Sequence, residues 1–352
     1  MVAQLRIAIQ PDKTFHRNGE GQSYSEYWQK LAEIDGHEPV IVDVRSNRAV
    51  ETIASCNAFM WRPSPTAVDR ELAVRIISAI EEVAQIPCFF NSRMLCGFED
   101  KVAQHYELSF AGLPTAKTEV FWTAESAQAY CKLANYPLVL KLANGYQSSN
   151  VVLINTYNDA THYIEMLFGP GALSLGYKPA TSFRKFLRKS RQAYNLLCGK
   201  YPNSPNGEAT VQHGYFYLQE YLPDNQFDTR VTIIGERAMA FRRFNREGDF
   251  RASGSGRIDF NQEAIDPKAI ELAFSVTKRL KMPVAAVDIM MKNSETIVCE
   301  YNLSFATWAI KECPGYWVHP HADSAAFDYV EKQVEPEELI YKDFIDSILN
   351  RA

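Results

Sequence analysis

The chain has 352 residues, a length that favours two or three domains over a single core. With 46% hydrophobic and 22% charged residues, its composition is typical of a soluble globular protein and gives no indication of disorder. A formal net charge of -5 argues against broad electrostatic binding of nucleic acid, because such binding needs a net basic surface.

Seven cysteines are scattered along the chain without a CxxC pair, and the odd count argues against a disulfide framework. We therefore expect free thiols in a reducing cytoplasm. The first residues are typical of a short strand and not of a signal peptide. No apolar run approaches the roughly 20 residues of a membrane span. We expect a cytoplasmic protein that is neither secreted by that route nor embedded in a membrane.

Strand and helix patterns alternate in the first part of the chain. The predicted strands are 5–9, 40–44 and 58–61, and the predicted helices are 25–35 and 68–84. Together they predict an open α/β domain over residues 1–95. The third strand ends at Trp61-Arg62. Because open α/β sheets bind ligands at the carboxyl ends of their strands, Arg62 is a candidate contact for a substrate carboxylate.

The middle of the chain predicts a helix at 100–111, which ends at Gly112-Leu113-Pro114. A strand at 137–142 is joined by a polar turn to a second strand at 151–154, and the loop of this hairpin can close over a ligand. Between residues 168 and 214 the pattern breaks around a basic helix at 183–189. A solvated helix face is the main interpretation of those charges, and an anionic substrate is the alternative. Further strands are predicted at 216–221, 229–234 and 238–243.

Two apolar strands near the C-terminus, 285–290 and 296–302, each carry a carboxylate. These are Asp288 and Glu300, and Asn302 follows Glu300 by two residues on the same strand face. Carboxylates on half-buried strands are costly unless something neutralises them. Two carboxylates and one amide are oxygen ligands that suit Mg²⁺. The alternative is an ordinary hairpin whose acids face solvent.

Several motifs occur in an order that resembles the ATP-grasp superfamily over about residues 91–302. They are Lys101, Lys141, Gln219-Glu220-Tyr221-Leu222, Asp228-Thr229-Arg230-Val231, Asp249-Phe250-Arg251, Asp288 and Glu300-Tyr301-Asn302. Within the superfamily the chain is most similar to ribosomal-protein glutamate ligases and to glutathione and D-alanine-D-alanine ligases. The stretch Arg246-Glu247-Gly248-Asp249-Phe250-Arg251 resembles the glutamate-ligase motif.

The resemblance implies an α/β fold of the α+β ATP-grasp type. An N-terminal open α/β domain (1–95) would precede a two-lobed ATP-grasp module that holds ATP between its lobes. The small lobe, with a connecting helix, would span 96–220, and the large lobe would span 221–352.

The resemblance also implies roles for individual residues. The residues implied to bind ATP are Lys101, Lys141, Gln219, Glu220, Tyr221, Leu222 and Asp228. The lysines would neutralise phosphates, and residues 219–222 would form the adenine-binding hinge. Mg²⁺, with Mn²⁺ as an alternative, would be held by Asp288, Glu300 and Asn302. Arg251 and Arg243 would be the catalytic residues that stabilise the γ-phosphate as it moves.

The implied activity is that of an ATP-dependent ligase. It would activate a small-molecule carboxylate as an acyl phosphate and join it to an amine, with neither nucleic acid nor membrane as a partner. A non-catalytic Mg-ATP-binding regulator or scaffold on the same fold is the alternative, and a kinase-like or carboxylase-like step is a third interpretation. Family members are often dimers, which makes a homodimer one expected form. The two substrates stay open.

Some features depart from the family pattern or carry less weight. The loop 144–150 has one glycine where the family has several, and 303–308 replaces the family's tight turn after Asn302. Residues 253–257 are predicted to form a second loop over the reaction centre. Cys299 is predicted to be core packing. His319-Pro320-His321 is predicted to be a loop and not a metal site.

Overall fold

The structure, a computed structural model, describes residues 4–12, 15–17, 20–145, 150–174, 210–248, 252, 255–319 and 327–350. Its strands are β1 (Arg6–Ile9), β2 (Phe15–Arg17), β3 (Glu20–Gln22), β4 (Glu38–Ile41), β5 (Ala58–Met60), β6 (Cys88–Phe89), β7 (Thr118–Phe121), β8 (Leu138–Lys141), β9 (Val151–Ile154), β10 (Ala172–Ser174), β11 (Thr210–Gln212), β12 (Phe216–Glu220), β13 (Phe227–Ile234), β14 (Arg237–Phe244), β15 (Ile258–Asp259), β16 (Val284–Lys292), β17 (Glu295–Asn302), β18 (Tyr316–Val318) and β19 (Asp328–Val330). Its α-helices are α1 (Tyr24–Ile34), α2 (Ala49–Ala54), α3 (Ala67–Glu82), α4 (Ser92–Leu95), α5 (Lys101–Phe110), α6 (Ala124–Leu133), α7 (Tyr157–Leu167), α8 (Pro267–Leu280), α9 (Trp308–Lys311) and α10 (Pro336–Leu349), and a 3₁₀ turn spans Gln262–Ala264.

The N-terminal sheet is parallel, with strand order β4-β1-β5-β6. The apolar strand β1 is central, as its buried run predicts. Helix α1 begins where the Ser23 side chain accepts from the amide of Glu26, and it buries Trp28 against this sheet. The predicted strand 40–44 begins and ends earlier, as β4. Beyond it the amide of Val44 bonds to the side chain of Gln10 and not to a neighbouring strand.

The sheet β7-β12-β8-β9 is antiparallel and packs on α6 and α7. Each helix begins at a threonine whose hydroxyl accepts a backbone amide, Thr123 for α6 and Thr156 for α7. Their buried faces cover one side of the sheet, for example with Cys131 and Ile164. The sheet therefore has a hydrophobic core of its own.

The largest sheet has the order β17-β16-β13-β14-β18-β19, and β15 pairs with β14. Helix α8 covers one face, and its start is fixed by Asp266 as the N-cap and Pro267 in the first turn. The predicted hairpin joins β16 to β17 through Asn293 and Ser294, both with positive φ. Two such residues between antiparallel strands make the tight turn that suits the strand twist.

The N-terminal sheet and the largest sheet share one continuous hydrophobic core. Helices α1 and α10 pack together at this junction, where the Trp28 indole donates to the carbonyl of Glu337 at 3.0 Å. The predicted domain boundaries at 95/96 and 220/221 stay a prediction. Of the helices in the described ranges, none combines the length and the apolar character needed to cross a bilayer.

Candidate functional site

A cleft lies between the sheet that contains β8 and the sheet that contains β16. The apolar part of its lining is Ala116, Val139, Val151, Leu222, Phe227, Ala252, Met290 and Ile297. The remaining lining is Lys141, Gln219, Glu220, Tyr221, Asp228, Arg243, Asn245, Asp288, Cys299 and Glu300. The lining thus combines a set of apolar side chains, which we call the apolar slot, with charges of both signs.

Asp288 and Glu300 stand directly opposite each other on β16 and β17. The register shifts between Asp288 and Ile289, because Ile289 pairs with Val298 and leaves Cys299 as the extra residue of a β-bulge. Strict alternation places Cys299 on the opposite face from Glu300, but both line the cleft. The prediction that Cys299 is core packing is therefore wrong, and the bulge is the reason.

Two arginines neutralise Asp288, whose side chain is 2% exposed. Arg230, its partner in the β13–β16 register, binds both carboxylate oxygens at 2.7 and 2.8 Å. Arg243 reaches the same carboxylate at 2.8 Å and binds both oxygens of Asp228 at 2.7 Å. Burial raises the pKa of Asp288, but the two guanidinium groups outweigh burial and lower it to about 2. Asp288 is therefore ionised at neutral pH.

Asn302 completes the predicted metal set. It lies opposite Ala286, and its Nδ2 is 3.4 Å from Asp288 Oδ2. The three side chains supply carboxylate and amide oxygens, the donor chemistry that Mg²⁺ prefers. The backbone of β17 is held here by Gln104, which donates to the carbonyl of Tyr301 at 2.9 Å. The donor set therefore fits a hard divalent cation.

The first predicted phosphate lysine begins α5. The Asp100 side chain caps this helix by accepting the amides of Val102 and Ala103, and so fixes where Lys101 starts. Lys101 Nζ donates to the carbonyl of Gly145 at 3.0 Å and lies 3.5 Å from Glu300 Oε2. Lys101 thus contacts both the start of the loop after β8 and Glu300, a predicted metal ligand.

Lys141, the second predicted phosphate lysine, ends β8 and is only 6% exposed. Its Nζ lies 3.7 Å from the sulfur of Cys299. Burial raises the pKa of that thiol to about 11, so the thiol is neutral at pH 7. In the part of the chain that the structure describes, no carboxylate oxygen lies within 4.0 Å of Lys141 Nζ. Glu300, which lines the same cleft, is the carboxylate that stabilises this buried ammonium, and the ammonium is a candidate contact for an anionic ligand.

The predicted hinge begins with the last two residues of β12. Gln219 donates to Thr118 Oγ1 at 3.0 Å, and the carboxylate of Glu220 accepts the amide of Lys117 at 2.6 Å and pairs with Lys292. Tyr221 and Leu222 line the same cleft. The structure thus brings the hinge residues to the cleft that Lys141 and the acids also line.

Some predicted residues lie outside the described ranges. They are Asp249, Phe250 and Arg251, residues 146–149 of the first loop, residues 253 and 254 of the second loop, the basic helix 183–189, and Pro320 and His321. Arg230 is a site residue whose importance sequence reasoning underestimated. Its spacing of two from Asp228 puts both on one strand face, which is the signal that places Arg230 beside the acids of the site.

The net charge of the site bears on which ligand fits. Four cations, Lys101, Lys141, Arg230 and Arg243, surround three carboxylates, Asp228, Asp288 and Glu300. Burial raises the pKa of nearby Glu99 to about 7, so it adds part of a fourth negative charge. The cations and acids nearly balance, so a polyphosphate would need further positive charge, such as a divalent metal ion, to be neutralised here.

Comparisons with known proteins give a consistent likeness. Residues 194–315 match the RimK-like ATP-grasp domain. A probable alpha-L-glutamate ligase 1 of Shewanella oneidensis is 26% identical over 204 residues, which cover 56% of this chain and 51% of that protein. The chain thus spans about half the length of that relative. The ribosomal protein bS6–L-glutamate ligase of Shigella flexneri serotype 5b is 20% identical over 282 residues, 72% of this chain and 91% of that protein.

Among solved structures, the ATP-grasp ligase PsnB in complex with a minimal precursor, Mg and ADP superimposes with a TM-score of 0.54. The two are 14% identical, and the match covers 97% of this chain and 98% of that one. At this identity the likeness concerns the fold.

Proposed function

We propose that this chain, which has the ATP-grasp fold and carries a RimK-like ATP-grasp domain, is an ADP-forming ligase that joins a carboxylate to an amine. One observation carries the proposal. Asp288 and Glu300 lie opposite each other among two lysines and two arginines, at a cleft that is also lined by apolar side chains. This is the arrangement that a nucleotide requires, with a base in the slot and phosphates among cations.

The nucleotide we propose is ATP. Its base would lie between Val139 and Val151 on one side and Met290 and Ile297 on the other. Lys141 and Lys101 would neutralise its phosphates. Asp288, Glu300 and Asn302 would hold Mg²⁺, or Mn²⁺ in its place, which would supply charge neutralisation and an anchor for the phosphates.

The chemistry has two steps. An oxygen of the substrate carboxylate attacks the γ-phosphorus, the bond from that phosphorus to the bridging oxygen breaks, and ADP leaves. The amine nitrogen then attacks the acyl carbon, loses a proton, and displaces phosphate. Arg230 and Arg243, which pair with Asp288, would stabilise charge on the phosphoryl group in the first step and on the departing phosphate in the second, and Arg251 is proposed to join them. No protein nucleophile is needed.

The two relatives are named for L-glutamate ligation, and one of them for a ribosomal protein as its target. We therefore propose L-glutamate as the first substrate to test. Small carboxylates and amines are the proposed partners, and a peptide terminus is included because one relative's name states a protein substrate. We further propose the cytoplasm as the location and a homodimer as the assembly. The non-catalytic scaffold is not favoured by the comparisons.

The experiment measures ADP release from Mg-ATP across a panel of amino acids, carboxylates and short peptides, beginning with L-glutamate. Asp288→Asn is the inactive reference. We expect ADP and phosphate in equal amounts together with an amide product detected by mass spectrometry. Hydroxylamine should divert the acyl phosphate to a hydroxamate. Tight Mg-ATP binding without ADP release anywhere in the panel would refute the ligase, and a product that keeps its phosphate would indicate a kinase.

A further inference from the structure

Residues 303–308, which we call the post-metal segment, connect Asn302 at the end of β17 to the short helix α9. Leu303, Phe305 and Thr307 are buried, whereas Ala306 is exposed. This is the segment in which the sequence departs from the family pattern. Its contacts are therefore particular to this chain, and nucleotide binding does not account for them.

Arg62 from the N-terminal sheet holds the centre of the post-metal segment. Its Nη2 donates to the carbonyl of Phe305 at 3.2 Å, and the Tyr24 hydroxyl lies 3.5 Å from the same oxygen. The guanidinium lies over the Tyr24 ring, 4.4 Å from the ring centroid. Arg62 is 7% exposed and is absent from the residues that line the cleft. The segment is thus anchored by a buried cation from a different sheet.

Asp12 supports Arg62 from the other side. Its buried carboxylate lies 3.9 Å from Arg62 Nη1. It also accepts the amides of Tyr24 and Ser25 at 3.1 Å and the Ser25 hydroxyl at 2.6 Å. These bonds fix the carboxylate to the first turn of α1. The guanidinium is therefore both neutralised and held in one orientation.

A second anchor lies two residues further on. Thr307 donates its hydroxyl to Glu337 Oε1 at 2.8 Å, and the carbonyl of Glu337 accepts the Trp28 indole. The post-metal segment is thus held at two points. Arg62 and Tyr24 hold Phe305, and Glu337, which bonds to Trp28 of α1, holds Thr307. Phe305 is only three residues from Asn302, so a shift of the anchor reaches the metal set within about 10 Å of chain.

We infer that Arg62 is a positioning residue, which fixes the post-metal segment and through it Asn302. The inference rests on the proposed function for the role of Asn302 in the site. It replaces the sequence-based expectation that Arg62 binds a substrate carboxylate, because the guanidinium is engaged by Phe305, Asp12 and Tyr24 outside the cleft lining. An N-terminal side chain would then position a predicted metal ligand without touching a substrate.

The test compares Arg62→Met, which keeps the length of the side chain and removes its bonds, with Arg62→Lys, which keeps the charge. Arg75→Met is the matched control, because in the described part of the chain the exposed Arg75 side chain bonds to Glu71, one turn earlier on α3. The first readout is hydrogen exchange of the amides in 303–308, which does not depend on turnover. We expect exchange there to become about tenfold faster in Arg62→Met, less so in Arg62→Lys, and unchanged in the control.

The second readout is ligand binding and kinetics. The dissociation constant for ADP should stay within about twofold, because the lysines and the apolar slot are untouched, whereas kcat should fall about tenfold. If exchange in 303–308 is unchanged and only the KM for the carboxylate rises, the inference is overturned. Arg62 would then be a contact for the substrate carboxylate.

If Arg62→Met does not fold, the exchange of 303–308 is measured in Tyr24→Phe instead. This variant removes the second donor to the Phe305 carbonyl and keeps the ring under Arg62. We expect faster exchange in 303–308, by a smaller factor than in Arg62→Met. The same exchange as in the parent would overturn the inference. A parent protein that releases no ADP on any substrate would refute the proposed function, and the exchange readout would still decide the positioning role.

Discussion

Arg230 and Asp288 face each other across β13 and β16 with both carboxylate oxygens bound, at 2.7 and 2.8 Å. Arg243 adds a third bond to Asp288. A divalent cation that approaches this carboxylate meets two positive charges first. An anionic nucleotide changes this, because its phosphates compete for the same guanidinium groups. Metal and nucleotide binding should therefore be coupled.

The first prediction is that Mn²⁺, followed by electron paramagnetic resonance, binds about tenfold or more tightly when ADP is present. Arg230→Met should strengthen binding of Mn²⁺ alone and reduce this coupling. Arg237→Met is the control, since Arg237 pairs with Asp343 at the other end of β14. Equal Mn²⁺ affinity with and without ADP would contradict the prediction.

The second prediction concerns Lys141, the buried ammonium beside the neutral Cys299 thiol. Lys141→Met should weaken ADP binding about tenfold or more, because an ionic contact to phosphate is lost, while the fold is kept. Titration calorimetry gives the affinity, and Lys132→Met on the exposed face of α6 is the control. If the Lys141→Met protein binds ADP as the parent does, Lys141 is not a phosphate ligand.

Much of the site was predictable from short-range sequence patterns. The acids of the β16–β17 hairpin stand out because they interrupt apolar strands, and the order of the lysines and hinge carries the resemblance. The pairing of Arg230 with Asp288 depends on residues 58 positions apart. A strand register over that distance is set by tertiary packing and cannot be deduced from local alternation.

Two features of the structure lay beyond sequence reasoning for the same physical reason. The bulge at Cys299 turns consecutive residues to one face, and alternation alone predicts the opposite. The bond from Arg62 to Phe305 spans 243 positions and joins two features that the sequence presents separately. Sequence reasoning placed Arg62 at the correct end of its strand but could not identify its partner.

The third prediction is the acid dependence of stability. The folded-state pKa of Asp288 is lowered to about 2, below its unfolded value, so its ionised form stabilises the fold. That stability is present above about pH 4 and is lost as the pH falls towards 2. Asp288→Asn should lower the free energy of unfolding by about 3 kcal/mol at pH 7, because the half-buried Arg230 loses its carboxylate partner and the buried Arg243 loses one of its two.

The measurement is urea unfolding of the parent and Asp288→Asn between pH 7 and pH 3. The difference between the two proteins should be constant down to about pH 4 and shrink below it. Asp343→Asn, which breaks the partly exposed pair with Arg237, should cost about 1 kcal/mol or less. A difference that grows towards low pH would refute the ionised, doubly bound state of Asp288.

The fourth prediction uses Cys299 as a reporter of the cleft. Because burial raises the pKa of its thiol to about 11, the thiolate fraction and hence the rate of alkylation by iodoacetamide should rise about tenfold per pH unit between pH 7 and 9. Mg-ADP should slow this reaction, since Cys299 lines the cleft beside Lys141. Exposed Cys96 lies outside the cleft lining and serves as the internal control, which the nucleotide should not protect.

Peptide mass spectrometry measures the alkylation of Cys96 and Cys299 in one sample. Protection of Cys96 and Cys299 alike would indicate a global change on binding, and protection of neither would place the nucleotide outside this cleft.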